Sequence, residues 1–113
     1  MRYEIEPVPK PRQTRADKWR KRPCVLRYRV FADQVRAKGV KLESGACVTF
    51  VLPMPKSWSK RKRQQMNGEP HRQRPDWDNL GKALSDAVHG EDCHLWDVRV
   101  RKLWGEHGAI IVE

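Results

Sequence analysis

The run Ala46-Cys47-Val48-Thr49-Phe50-Val51-Leu52 is apolar and rich in β-branched residues, and Pro53 and Pro55 close it. Branched side chains pack well on a pleated surface, and proline cannot donate to a ladder, so this is the strongest strand signal in the chain. A strand of this kind needs a sheet around it and a helical layer to cover it.

The candidates for that layer are legible on either side. Pro23 suits the first turn of a helix, and the segment from there runs to a stop at Gly39, with Leu26, Val30, Phe31 and Val35 as its apolar stripe. Tyr28 and the arginines fall off that stripe. From Asp78 to His89, Leu80, Ala83, Leu84, Ala87 and Val88 share one face of a second amphipathic helix, and Gly90 is its C-terminal cap. Gly81 costs that helix about 1 kcal/mol relative to alanine, which points to a close backbone approach. Period-two alternation marks further strands at Met1 to Glu6 and His94 to Leu103, and the turn Gly105 to Gly108 leads into a last strand, Ala109 to Val112. The predicted order is β-α-β-α-β-β, an α+β fold with helices packed on one mixed sheet. At 113 residues the chain is read as a single domain, 1–113, with a basic loop at about 53–75.

The balance of 24 Lys+Arg against 14 Asp+Glu gives a formal charge of +10. An excess of this size in a small domain marks a polyanionic partner, with nucleic acid first and an anionic membrane second. No apolar run approaches the ~20 residues that span a bilayer, and the first residues lack the apolar centre of a secretory signal. The expected location is the cytoplasm, with no membrane association. Cys24, Cys47 and Cys93 are odd in number and far apart, which argues against a disulfide scaffold. Zinc held by Cys93 and His94 would match no standard four-ligand spacing, so a buried thiol and surface imidazoles are the better reading.

Two segments concentrate the positive charge. Lys10, Arg12 and Arg15 open the first, which continues through Lys18, Arg20, Lys21 and Arg22 against Asp17 alone. The second carries Lys56, Lys60, Arg61, Lys62, Arg63, Arg72 and Arg74 against Glu69. Each reads either as a solvated charge run or as a phosphate-holding arm. Ser59 to Met66 is expected to become helical on contact with a partner. Trp19 and Trp58 can stack on exposed bases or serve as core or dimer contacts.

The second segment ends at RPDWDNLGKALSDAV. Taken alone, Asp76 after Pro75 suits a helix N-cap, and Asp78 suits the positive end of the helix dipole. Lys82 shares a helix face with Asp78, ~5–6 Å away at Cβ. Glu91-Asp92 follows the same helix and offers a third carboxylate. Magnesium takes one or two carboxylates and fills its other positions with water and phosphate oxygens, so this set suffices for phosphodiester hydrolysis. Asp86 is assigned to an ion pair rather than to the site.

The strings PMPKSWSKRKR and RPDWDNLGKALSDAV, with GED before a strand, resemble the RusA family of Holliday junction resolvases. The early PVPKPR and WRKRPCVLRYRVFAD segments resemble that family too, and Asp76-Trp77-Asp78-Asn79-Leu80-Gly81-Lys82 is the most specific part. The resemblance implies a homodimeric endonuclease that uses Mg2+, with Mn2+ as a substitute, and cuts branched DNA at four-way junctions by paired nicks. By motif position it makes Asp76, Asp78 and Asp92 the metal-binding carboxylates and Lys82 the catalytic lysine. Glu91 and Asp97 are the residues that would share the role of Asp92. The rival from another class is a non-catalytic branched-DNA-binding module whose carboxylates only cap a helix.

Overall fold

A computed structural model describes residues 1–11, 23–90 and 95–113. Along them run β1 (Arg2–Tyr3), α1 (Pro23–Ala37), β2 (Ala46–Pro53), α2 (Lys60–Met66), α3 (Trp77–His89), β3 (Val98–Gly105) and β4 (Ala109–Val112). The predicted α+β order holds, with one short helix more. The strands form one mixed sheet in the order β1-β4-β2-β3. β2 pairs in parallel with β3 and antiparallel with β4, and β1 pairs antiparallel with β4.

The apolar run thus becomes an interior strand, hydrogen-bonded on both sides. The register Val48↔Val100, Phe50↔Lys102 and Phe50↔Ile110 puts Val48, Phe50, Val100 and Ile110 on one face. Phe31 and Val35 of α1 and Leu80 and Leu84 of α3 close over that face, and all four are fully buried along with Phe50 and Ile110. Burying such a side chain contributes about 1.5–3 kcal/mol each, so the helical layer and the sheet stand or fall together. The two helices are also stitched by polar bonds. The Tyr28 hydroxyl donates to the Ala83 carbonyl at 3.1 Å, and Arg36 Nε donates to that of Ala87 at 3.2 Å.

The stripe predicted for α1 was half right. Phe31 and Val35 face inward, but Leu26 is 44% exposed and Val30 57%. The inward row is Tyr28, Phe31, Ala32 and Val35, the i, i+3, i+4, i+7 set, so the phase is displaced toward Tyr28. Leu26 and Val30 instead line a groove beside Pro7 and Pro9. At the N-terminus, alternation outlasts pairing. Tyr3 and Ile5 are buried while Glu4 and Glu6 are exposed, yet only Arg2–Tyr3 are strand, because the Ile5 amide turns back to the Tyr3 carbonyl at 2.9 Å.

The expected basic loop of about 53–75 is interrupted by a helix. Lys60–Met66 is helical in the free chain, with Ser59 as its N-cap accepting from the Lys62 amide at 3.2 Å. Trp58 packs on Trp104 with ring centroids 4.8 Å apart, and Lys62 lies over the Trp58 ring at 4.3 Å. These contacts, together with Arg63 Nη2 donating to the Pro55 carbonyl at 3.1 Å, hold α2 in place without a partner. Among the described residues no helix is long and apolar enough to cross a membrane.

Candidate active site

After α2 the chain returns along the outer edge of β3. Gly68 N–H donates to the Trp104 carbonyl, Trp104 N–H to that of Glu69, and His71 N–H to that of Lys102, at 2.9, 2.9 and 3.0 Å. His71 is buried against Trp104, with ring centroids 4.1 Å apart. Burial and the nearby Lys102 cation hold its pKa below the usual histidine range. Lys102 then reaches over the following residues. Its ammonium donates to the carbonyls of Gln73 at 2.6 Å and Pro75 at 2.8 Å. The backbone is therefore clamped immediately before Asp76, and the positively charged approach and the carboxylates are parts of one continuous segment.

Asp76 occupies the N-cap position of α3 with extended backbone, but its side chain accepts no capping hydrogen bond. Asp78 takes part of that work, accepting from the Asn79 amide at 2.9 Å. Both carboxylates are exposed. One turn on, Lys82 is exposed and makes no ion pair among the described residues.

Asp78 and Lys82 line a groove of about 380 Å3 between α3 and the start of β3. Its apolar floor is Leu42, Leu95, Val98 and Val100, and Asp97 lies on its far side. Gly81 faces that floor, where a Cβ would meet Val100 Cγ2 at 3.4 Å, an ordinary contact. Trp77 and Trp96 stand at the rims, and Ser85 also lines the groove with a buried hydroxyl that has no partner among the described residues.

Asp78, Lys82 and Asp97 line one groove, and Asp76 stands one position before Trp77 at the start of α3. Asp92 and Glu91 lie outside the described residues, as do Arg12 and Arg15 and the Cys93 and His94 of the zinc alternative. Among the described residues no group of three ligating side chains forms. Asp86 pairs with Lys10, as expected of the aspartate, which turns the Lys10 ammonium toward α3. Burial, and the Asp86 carboxylate next, raise the pKa of the adjacent Tyr28 hydroxyl. Lys56, Lys60, Arg61, Arg72 and Arg74 are exposed, while Lys62 and Arg63 are partly engaged in holding α2. Lys102 was missed in the sequence. The available signal was a lysine continuing the inward row Val98, Val100, Lys102.

Asp76 and Asp78 suit a hard divalent cation. They are oxygen donors, they sit one residue apart, and the carboxylate of Asp76 is not spent on capping. A positively charged approach that ends at carboxylates suits a protein that cuts a phosphate backbone, which is nuclease chemistry. The family model for Endodeoxyribonuclease RusA matches residues 4–113, and the chain belongs to that family. It is accordingly an endodeoxyribonuclease of the kind that resolves Holliday junctions, acting on branched DNA with a divalent metal. No curated protein and no solved structure gives a comparable match.

Proposed function

We propose that the protein is a magnesium-dependent, structure-selective endonuclease that resolves four-way junctions by paired symmetric nicks, working as a homodimer in the cytoplasm. The observation that carries this reading is the shared groove. Asp78 and Lys82 line the same groove at the leading end of α3, and Lys102 clamps the end of the basic segment immediately before it, which supports a route for DNA into the groove. Asp76, Asp78 and Asp92 would hold the metal, and Asp97 lines the same groove as Asp78. With Mg2+ held by those carboxylates, or Mn2+ in its place, the site would gain a means of acidifying water and offsetting charge on the phosphoryl group.

The chain's own residues supply the rest. Lys82 stabilises charge that develops on the phosphoryl oxygens or on the leaving oxygen. Lys56, Lys60, Arg61, Arg72 and Arg74 position the backbone without reading its sequence. Two-fold symmetry in a dimer would present two such grooves to opposed strands of a near-two-fold junction.

The test is cleavage of a synthetic four-way junction beside a linear duplex, with and without Mg2+, by wild type, Asp78→Asn and Lys82→Ala. Symmetric nicks confined to the junction, seen with wild type and Mg2+ only, are expected. The substitutions should reduce the rate at least 100-fold while binding persists, on the scale of a lost electrostatic stabiliser. Equal cutting by all three proteins would overturn the site. A monomer in light scattering at micromolar concentration would overturn paired nicking.

A further inference from the structure

Trp77 and Trp96 are the exposed aromatic residues among the described part of the chain, at 61% and 85%. Trp58 and Trp104, by contrast, are used in anchoring α2. An indole carries a large apolar surface, and leaving it in water has no benefit to the fold. The two exposed ones also belong to a single place. Trp77 opens α3 between Asp76 and Asp78, and Trp96 precedes Asp97, its amide donating to Ser44 Oγ at 3.3 Å. Both rim the groove that holds Asp78 and Lys82.

We propose that Trp77 and Trp96 are stacking platforms for nucleobases that flank the phosphate in this groove, and that they supply preference for branched over linear DNA. The proposal rests on the nuclease reading above and names a specificity device within the same site. Three observations select a nucleobase as the occupant. The rims enclose the residues assigned to the phosphate, so the nearest parts of a bound strand beyond the phosphate are its sugars and bases. The segment leading to the groove is cationic, with Arg72 and Arg74 exposed before α3. The rim surfaces themselves are flat, apolar and aromatic, which suits the π-face of any base and reads no sequence. Bases inside a linear duplex present no free face. Bases at a branch point unstack at far lower cost, and there the indoles gain a partner.

The experiment measures binding in Ca2+ without turnover. The probes are a four-way junction carrying 2-aminopurine at the exchange point and a linear duplex of the same sequence. Trp77→Ala and Trp96→Ala should each weaken junction binding roughly 5- to 150-fold, the range set by one base–aromatic stack. Duplex binding should stay within about twofold, and the quenching of 2-aminopurine seen with wild type should be lost. Trp77→Phe and Trp96→Phe should keep both. The inference is overturned if the alanine variants bind the junction like wild type, or lose junction and duplex equally. It is also overturned if they become monomeric in light scattering, which would make the indoles dimer contacts. Its failure is separable from failure of the nuclease reading. A wild type that cuts no DNA with Mg2+ removes the latter, whereas normal cutting with unchanged Trp variants removes only the stacking role.

Discussion

Lys102→Met isolates the clamp in front of the carboxylates. The replacement keeps the length of the side chain and its apolar stem but removes the ammonium that donates to Gln73 and Pro75. A hydrogen bond from a charged donor contributes ~1.5–3 kcal/mol net, so two give a gross ~3–6 kcal/mol. Lys102 is half-buried and the Gln73 bond is exposed, so water recovers part of the loss, and about 1.5–3 kcal/mol is the expected cost. That cost falls on the 72–76 backbone, where amide exchange protection should drop roughly 10- to 100-fold. Displacing Asp76 by about an ångström costs up to ~100-fold in turnover, so kcat on a four-way junction should fall by at least tenfold with binding little changed. A third readout is independent of both. Lys102 is one cause of the lowered His71 pKa, so the imidazole should titrate higher in the variant, as followed by NMR. If His71 moves as expected while exchange at 72–76 and kcat do not, the clamp does not position the site.

His71 also makes stability pH-dependent. Its folded pKa lies below the unfolded value of about 6.5, so between the two the unfolded chain binds more protons. Its contribution is complete above the unfolded pKa and is lost as pH falls toward the folded one. Urea midpoints should drop from pH 7.5 to 5.5 in wild type, and less so in His71→Phe. Trp104→Ala, which empties the buried contact between Trp58 and His71, should cost about 3–5 kcal/mol in the same assay. Gly81→Ala should stabilise by up to ~1 kcal/mol, since the added methyl meets Val100 at ordinary contact distance while helix propensity improves. A lower melting temperature would show that the contact is tighter than that. Lys60→Ala and Arg61→Ala should each flatten the log–log salt dependence of junction affinity by about 1, with junction preference retained.

The elements that were legible in the sequence are those in which one period dominates. β2 is one apolar run, as befits an interior strand paired along both edges, and α3 has an unbroken inward row ending at a glycine that adopts φ 79°. α1 misled because it carries two apolar rows, one against the core and one along the groove beside Pro7, and local periodicity cannot say which row meets the sheet. α2 was underestimated for the same physical reason. None of its own residues is buried, and what holds it is Lys62 and Arg63 against a preceding segment that Trp58 anchors on Trp104, a contact between residues far apart in the chain. At the site, the spacing of Asp78 and Lys82 follows from helix geometry and was readable directly. That Asp76 leaves its cap bond unmade, and that Lys102 grips Gln73 and Pro75, depend on long-range folding and were not.

The return of residues 68–71 along β3 also decides how the sheet can meet a second copy of itself. An open strand edge recruits other strands through its unpaired amides and carbonyls. Here the edge from Lys102 to Trp104 is already occupied, and the exposed Arg99 and Arg101 bring like charge to any strand that approaches the rest. The opposite edge is β1, only two residues long. Continuous sheets between copies are disfavoured at both ends, so a dimer of this chain would be built from side chains on its faces, and its register would be set by shape and charge rather than by backbone pairing.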